Sequence, residues 1–212
     1  MIKRRHSLGA LFGRHAVDDA HSRHATEAPN RRPWTREERT LLRAGDTVFR
    51  HGPAGSSDTG VAAVLASAPP DILWKHILAF DQYVDFLPYI TASRSVTLAK
   101  GNACDVYDAD FQITTKGVVS SYQVRHWHYA NKSWLPFRMV SNESGGAVRG
   151  GEGGWQVTRW DEDPQKSLLC YEVRLRTSRL VPSFMKRLAA NRGLPTAATL
   201  IARRAEESTS SG

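Results

Sequence analysis

At 212 residues with 41% apolar side chains, the chain can build one domain with a real core and two tails. It contains no run of about 18 apolar residues, which excludes a membrane-spanning helix. The net charge of +8 is unevenly placed, with seven basic against three acidic side chains in residues 1–33 and five against two in residues 183–207. Such patches either attract anionic lipid surfaces and nucleic acid or serve as solvated faces. The two cysteines, Cys104 and Cys170, offer no metal spacing and no disulfide framework; free thiols are the default, with a single bridge left open.

Residues 1–33 are rich in His, Arg and Ala without periodicity and read as a flexible arm. The first 17 residues are basic and acid-poor, weakly similar to a mitochondrial presequence, but a disordered arm fits better. Thr35 and Glu38 form a capping box for a short helix that Gly45 ends. Residues 46–51 read as a strand, 51–60 as a turn-rich loop, and Val61–Ala68 as an apolar strand stopped by Pro69 and Pro70. Pro70 suits a first helical turn, and Ile72, Leu73, His76, Ile77 and Phe80 recur at helical spacing. A second short helix or turn carries Tyr83, Phe86 and Leu87, and Pro88 ends it.

From Ile90 the period changes to two. Strands are expected over Ile90–Leu98, Asp105–Ile113, Val118–Tyr129, Leu135–Ser141, Trp155–Trp160 and Leu168–Arg176. Residues 144–154 read as a long flexible turn and 161–166 as another turn. Tyr107, Ala109, Phe111 and Ile113 share one face; Leu169, Tyr171, Val173 and Leu175 share another. Hairpin-length links make this sheet antiparallel. A long helix over Ser183–Glu207 closes the chain, with Pro195 expected to kink or break it. The fold class is therefore α+β: a curved antiparallel sheet, two short helices and a long C-terminal helix around an apolar cavity. The expected division is a mostly disordered basic arm over 1–44 in which a short helix can form, a ligand-binding domain over 45–207, and a disordered tail over 208–212.

Several local motifs carry a resemblance. They are Val64–Asp71, Trp74, Phe80–Tyr83, Phe86–Tyr89, Gly154–Val157 and Tyr171–Val173, followed by Leu194-Pro195 and Ile201–Glu206 in the last helix. With the order of elements, they make roughly Gly45–Glu207 similar to the START/Bet v 1-like (SRPBCC) superfamily, the helix-grip fold, in its polyketide cyclase and coenzyme Q-binding branch. The resemblance implies a hydrophobic cavity and the binding or delivery of a quinone, isoprenoid or acyl lipid, with no cofactor. The alternative it implies is a cyclase/dehydratase using the same cavity.

The expected cavity residues are Phe86, Leu87, Phe111, Tyr122, Phe137, Trp155, Phe184, Leu188 and Asn191. Asn191 stands out because an amide on an apolar stripe needs a partner. His126 and His128 share a face at period two; they read as a solvated outward pair, which requires a bulge late in their strand, rather than as metal ligands. Asp81 and Asp85 read as capping or solvated groups. No Gly-x-Ser-x-Gly elbow, P-loop or dinucleotide fingerprint is present, so no catalytic residue is assigned. For the enzymatic alternative the candidate polar groups are Asn191, Tyr122 and Arg94. The expected partner is a hydrophobic small molecule or lipid, with peripheral contact to an anionic membrane and no specific nucleic acid. The expected location is cytoplasmic or at a membrane periphery.

Overall fold

Thr35 starts the first helix as the sequence predicts. Its side chain accepts from the Glu38 amide while the Glu38 carboxylate accepts from the Thr35 amide. This helix, α1, spans Arg36–Arg43 and ends at Gly45, whose φ of 85° favours glycine. The computed structural model describes residues 31–52, 59–115, 118–129, 133–142, 148–177 and 183–210. The side chains of 183–192 lie outside that description, as do residues 116–117, between the strands expected over Asp105–Ile113 and Val118–Tyr129.

Eight strands form one antiparallel sheet in the order β1-β2-β8-β7-β6-β5-β4-β3. They are β1 (Val48–His51), β2 (Thr59–Ala66), β3 (Ile90–Ala99), β4 (Asp105–Thr115), β5 (Val118–His128), β6 (Trp134–Asn142), β7 (Val148–Trp160) and β8 (Asp163–Thr177). Between β2 and β3 run α2 (Pro70–Leu78), a 3-10 turn (Phe80–Gln82) and α3 (Tyr83–Phe86). The last helix, α4, spans Ser183–Ser210 and packs against β2, β8 and α2. This is the helix-grip arrangement expected from the sequence.

Three sequence expectations are corrected. Residues 148–154 are not turn but the first half of β7. Glycine suits this strand because large rings lie on both of its faces. A Cβ on Gly153 would meet Phe137 at 3.0 Å on one side, and one on Gly154 would meet Trp134 at 2.3 Å on the other. The turn after Trp160 is only Asp161–Glu162, since Pro164 is tolerated near the start of β8. Of the kink or break expected at Pro195, the break does not occur; the residue removes one amide donor, and burial of the Leu194, Ala198, Ile201 and Ala205 stripe holds the helix continuous.

Polar bonds fix α4 to the β2–α2 corner. Glu206 accepts from the Ser67 amide at 2.7 Å. His76 on α2 lies 2.9 Å from the Ser208 hydroxyl, which itself donates to the Arg204 carbonyl, so His76 Nε2 must carry the donated proton. Desolvation, with Arg204 and Lys75 nearby, lowers the His76 pKa and favours this neutral form. At the other margin the 3-10 turn is clamped to β3. Asp81 accepts from both the amide and the hydroxyl of Ser95, and Ser93 donates to the Phe80 carbonyl. Asp81 is thereby a structural acceptor.

Residues 31–43 pack on the convex face. Trp34 and Leu42 join Ala63, Leu65, Trp160, Leu168 and Cys170 in an apolar cluster separate from the main core. Arg50 lies over the Trp34 ring at 3.7 Å and bonds Glu38, holding the Glu38 carboxyl down at about 2 against an ordinary 4.5. A depressed carboxyl stabilises the fold above its unfolded pKa, and the contribution disappears as pH falls from about 5 to 2. Glu38→Gln is expected to cost about 1 kcal/mol at neutral pH and to flatten the acid limb of stability. Thermal melts between pH 2 and 7 check this; parallel acid limbs in mutant and wild type would refute it.

Candidate functional site

Alternation along β4–β8, interrupted by a bulge in β6 and register shifts near the ends of β7, sorts the side chains of the sheet. On the convex face Arg125 binds Asp108 through two bonds of 2.7 Å, Arg31 binds Glu172 at 2.7 Å, and Glu152 lies between Arg138 and Arg174. The concave face is apolar and aromatic. It merges with α2, α3 and the C-terminal half of α4 into the main core.

The concave rings are ordered. Trp155 and Tyr171 stack in parallel at 3.8 Å, and Tyr171 continues to Phe137 at 6.1 Å, His126 at 5.6 Å and Phe80 at 4.3 Å. From the other side Tyr83 stacks on Phe111 at 5.7 Å and donates its hydroxyl to the Ile77 carbonyl at 2.6 Å. Burial pushes the phenols of Tyr83 and Tyr171 well above their ordinary range, so both stay protonated.

Tyr171 is surrounded by protein yet keeps accessible surface, as do Phe111, Val124 and Leu175 on the same face. This apolar surface is what a ligand on the concave face would cover. A cavity of about 280 Å³ sits on the convex face, bordered by Arg31, Trp34, Arg39, Trp160 and Cys170. Its arginines are already committed: Arg31 to Glu172, and Arg39 to Asp161 and Glu162. The concave face is thus the better candidate for an apolar ligand.

The structure brings most of the expected residues onto this face. Phe137, Trp155 and Leu87 are buried in the main core, and Phe86 and Phe111 pack on it half-buried. Tyr122 is half-buried directly across from Phe111 on the adjacent strand. Arg204 covers the Phe86 ring at 4.9 Å, beside exposed Val84 and Tyr89. Phe184, Leu188 and Asn191 lie on α4, with side chains outside the described residues. Arg94 is exposed and paired with Asp110, which puts it on the convex face and removes it as a cavity group.

The outward placement of the histidine pair is also overturned. The bulge falls in β6 at Val140, since Gln123 pairs with Ser141 and Val124 with Met139, so β5 alternates without interruption. His126 and His128 therefore face inward; His128 packs near Trp74 at 6.0 Å. Among the described residues no third ligating side chain joins them to form a metal group. Tyr83, Val124 and Tyr171 also belong to this face, although they are not among the nine expected cavity residues; the period-two pattern carried the signal for the two strand residues.

No protein-family model and no curated protein matches the chain. Solved structures do. The chain is similar to a START superfamily protein from Mycobacterium smegmatis at 15% identity and TM-score 0.57, over 70% of this chain and 97% of that one. It is similar to the Zhui aromatase/cyclase from Streptomyces sp. R1128 at 15% identity and TM-score 0.58, over 76% and 96%. A STAR-related lipid transfer protein from Xanthomonas axonopodis aligns at 14% identity and TM-score 0.52, over 75% and 92%. At these identities the likeness is one of fold.

Proposed function

Because the chain has the START-like helix-grip fold, we propose that it binds a hydrophobic small molecule or lipid between the concave sheet and α4, as a carrier rather than a catalyst. The observation that supports this most is the retained surface on Tyr171, Phe111, Val124 and Leu175 within an otherwise apolar interior. A ligand seated there would remove that surface from water, at about 25 cal/mol per Å² of apolar contact. A quinone, an isoprenoid or an acyl lipid fits the chemistry of the wall. Passage would occur beside Phe86–Tyr89. There the exposed Val84 and Tyr89, with Lys75 and Arg203 also exposed, would lean on an anionic membrane.

Native mass spectrometry of the purified full-length protein, with organic extraction of whatever co-purifies, tests this reading. The expected result is a bound neutral lipid or quinone at near-stoichiometric occupancy, or its uptake from added ubiquinone or fatty acid. Protein that stays empty with all of these added would refute it.

A second reading has the same cavity folding a polyketide-like chain, and the likeness to the Zhui aromatase/cyclase favours keeping it. With Arg94 on the convex face, Tyr122 is the described candidate for its acid/base work. Turnover of an aromatic polyketide precursor, abolished by Tyr122→Phe, would support it.

A further inference from the structure

We propose that His126 is the polar anchor of the cavity, and that the ligand is a neutral apolar molecule carrying a hydroxyl or carbonyl oxygen that bonds this imidazole. The inference rests on the reading that the concave space holds a ligand, and it narrows what that ligand is.

His126 is only 3% exposed, and its Nδ1 has no hydrogen-bond partner. A buried polar atom left unpaired opposes folding, and such atoms are rare without a reason. The ring lies between Phe80 and Phe137, with Tyr107 opposite it on β4. The Val124 carbonyl is near enough to favour the charged form but completes no bond to Nδ1. Surface that a ligand could cover is close by: Val124, two residues back on the same face, and Tyr171, one ring beyond Phe137, are both only partly buried.

The chemistry of the partner follows from the surroundings. Desolvation pushes His126 down to about 3, so at physiological pH it is neutral, with one nitrogen donating and one accepting. It offers no charge to attract a carboxylate or phosphate. The ion pairs of β4–β8 lie on the opposite face of the sheet. A neutral oxygen function is therefore what this wall can bind.

The test uses two probes of matched shape, 2-naphthol and 2-methylnaphthalene, titrated into the full-length protein and into His126→Phe. Wild type should favour 2-naphthol by about tenfold, the worth of one buried hydrogen bond. In His126→Phe the preference should vanish while 2-methylnaphthalene binds as before. Should that variant fail to fold, ¹⁵N-histidine spectra of wild type provide the second readout. 2-Naphthol should move the ring-nitrogen resonances of His126, and 2-methylnaphthalene should leave them in place. Equal binding of both probes to wild type, or an undiminished preference in the variant, overturns the anchor while leaving the cavity intact. Binding of neither probe overturns the cavity reading and the anchor with it.

Discussion

Trp155→Ala is expected to lower stability by about 3–5 kcal/mol, the usual range for deleting a buried tryptophan. Trp155 is 3% exposed, and its indole lies flat on Tyr171 with 9° between the ring planes. Its loss leaves a large void and strips one whole face of Tyr171 of contact. For a chain of this size the melting temperature should fall by roughly 10 °C. The void is apolar, so indole added at millimolar concentration should occupy it and recover part of the loss, as small aromatic molecules do in engineered cavities. Urea unfolding with and without indole measures both effects. A loss below about 1 kcal/mol, with no response to indole, would mean that the ring is not a core element.

Gly153→Ala is the second large effect, and its control has the opposite sign. A Cβ on Gly153 would sit 2.0 Å from the Glu172 carbonyl oxygen and 3.0 Å from the Phe137 ring. Backbone must move on one side and a core ring on the other, so the cost should reach about 3 kcal/mol. Gly193, in α4, has nothing within 4 Å of its own Cβ position. Gly193→Ala should therefore stabilise by up to about 1 kcal/mol through helix propensity and a less mobile unfolded chain. Thermal melts of the two variants side by side would show the contrast; losses of similar size in both would refute the packing account of β7.

The sequence was most legible where burial is one-sided. Asp105–Ile113 and Leu168–Arg176 alternate cleanly because one face meets the core and the other carries paired charge; the first became a strand close to its expected bounds, and the second lies within a strand that begins five residues earlier, at Asp163. It was least legible at 148–154. Glycine carries no side chain to show a period, and its suitability there depends on Trp134 and Phe137, which arrive from a neighbouring strand. His126 failed for a related reason. The period placed it inward, but a histidine without a partner in sequence reads as a surface group. Only the tertiary fold reveals the aromatic sandwich that accepts it. The candidate cavity was readable as a face, from Phe111, Phe137 and Trp155, and not as a volume. How far helix and sheet stay apart depends on side-chain packing across the whole fold.

The clamp between the 3-10 turn and β3 has a consequence for self-association. β3 is a marginal strand of an open sheet, and a strand of 10 residues with a free ladder would invite another copy to add on. Asp81 occupies the outward amide of Ser95, and the Ile90 amide is taken by the Leu87 carbonyl. Beyond Ser95 the strand runs on through Val96–Ala99, broken by a register shift between Thr97 and Ala99. Val96 and Leu98 are 45% and 46% exposed there, so the stickiest side chains of this margin sit where its register is interrupted. The turn that packs Phe80 into the core thus also makes the sheet a poorer template for its own extension.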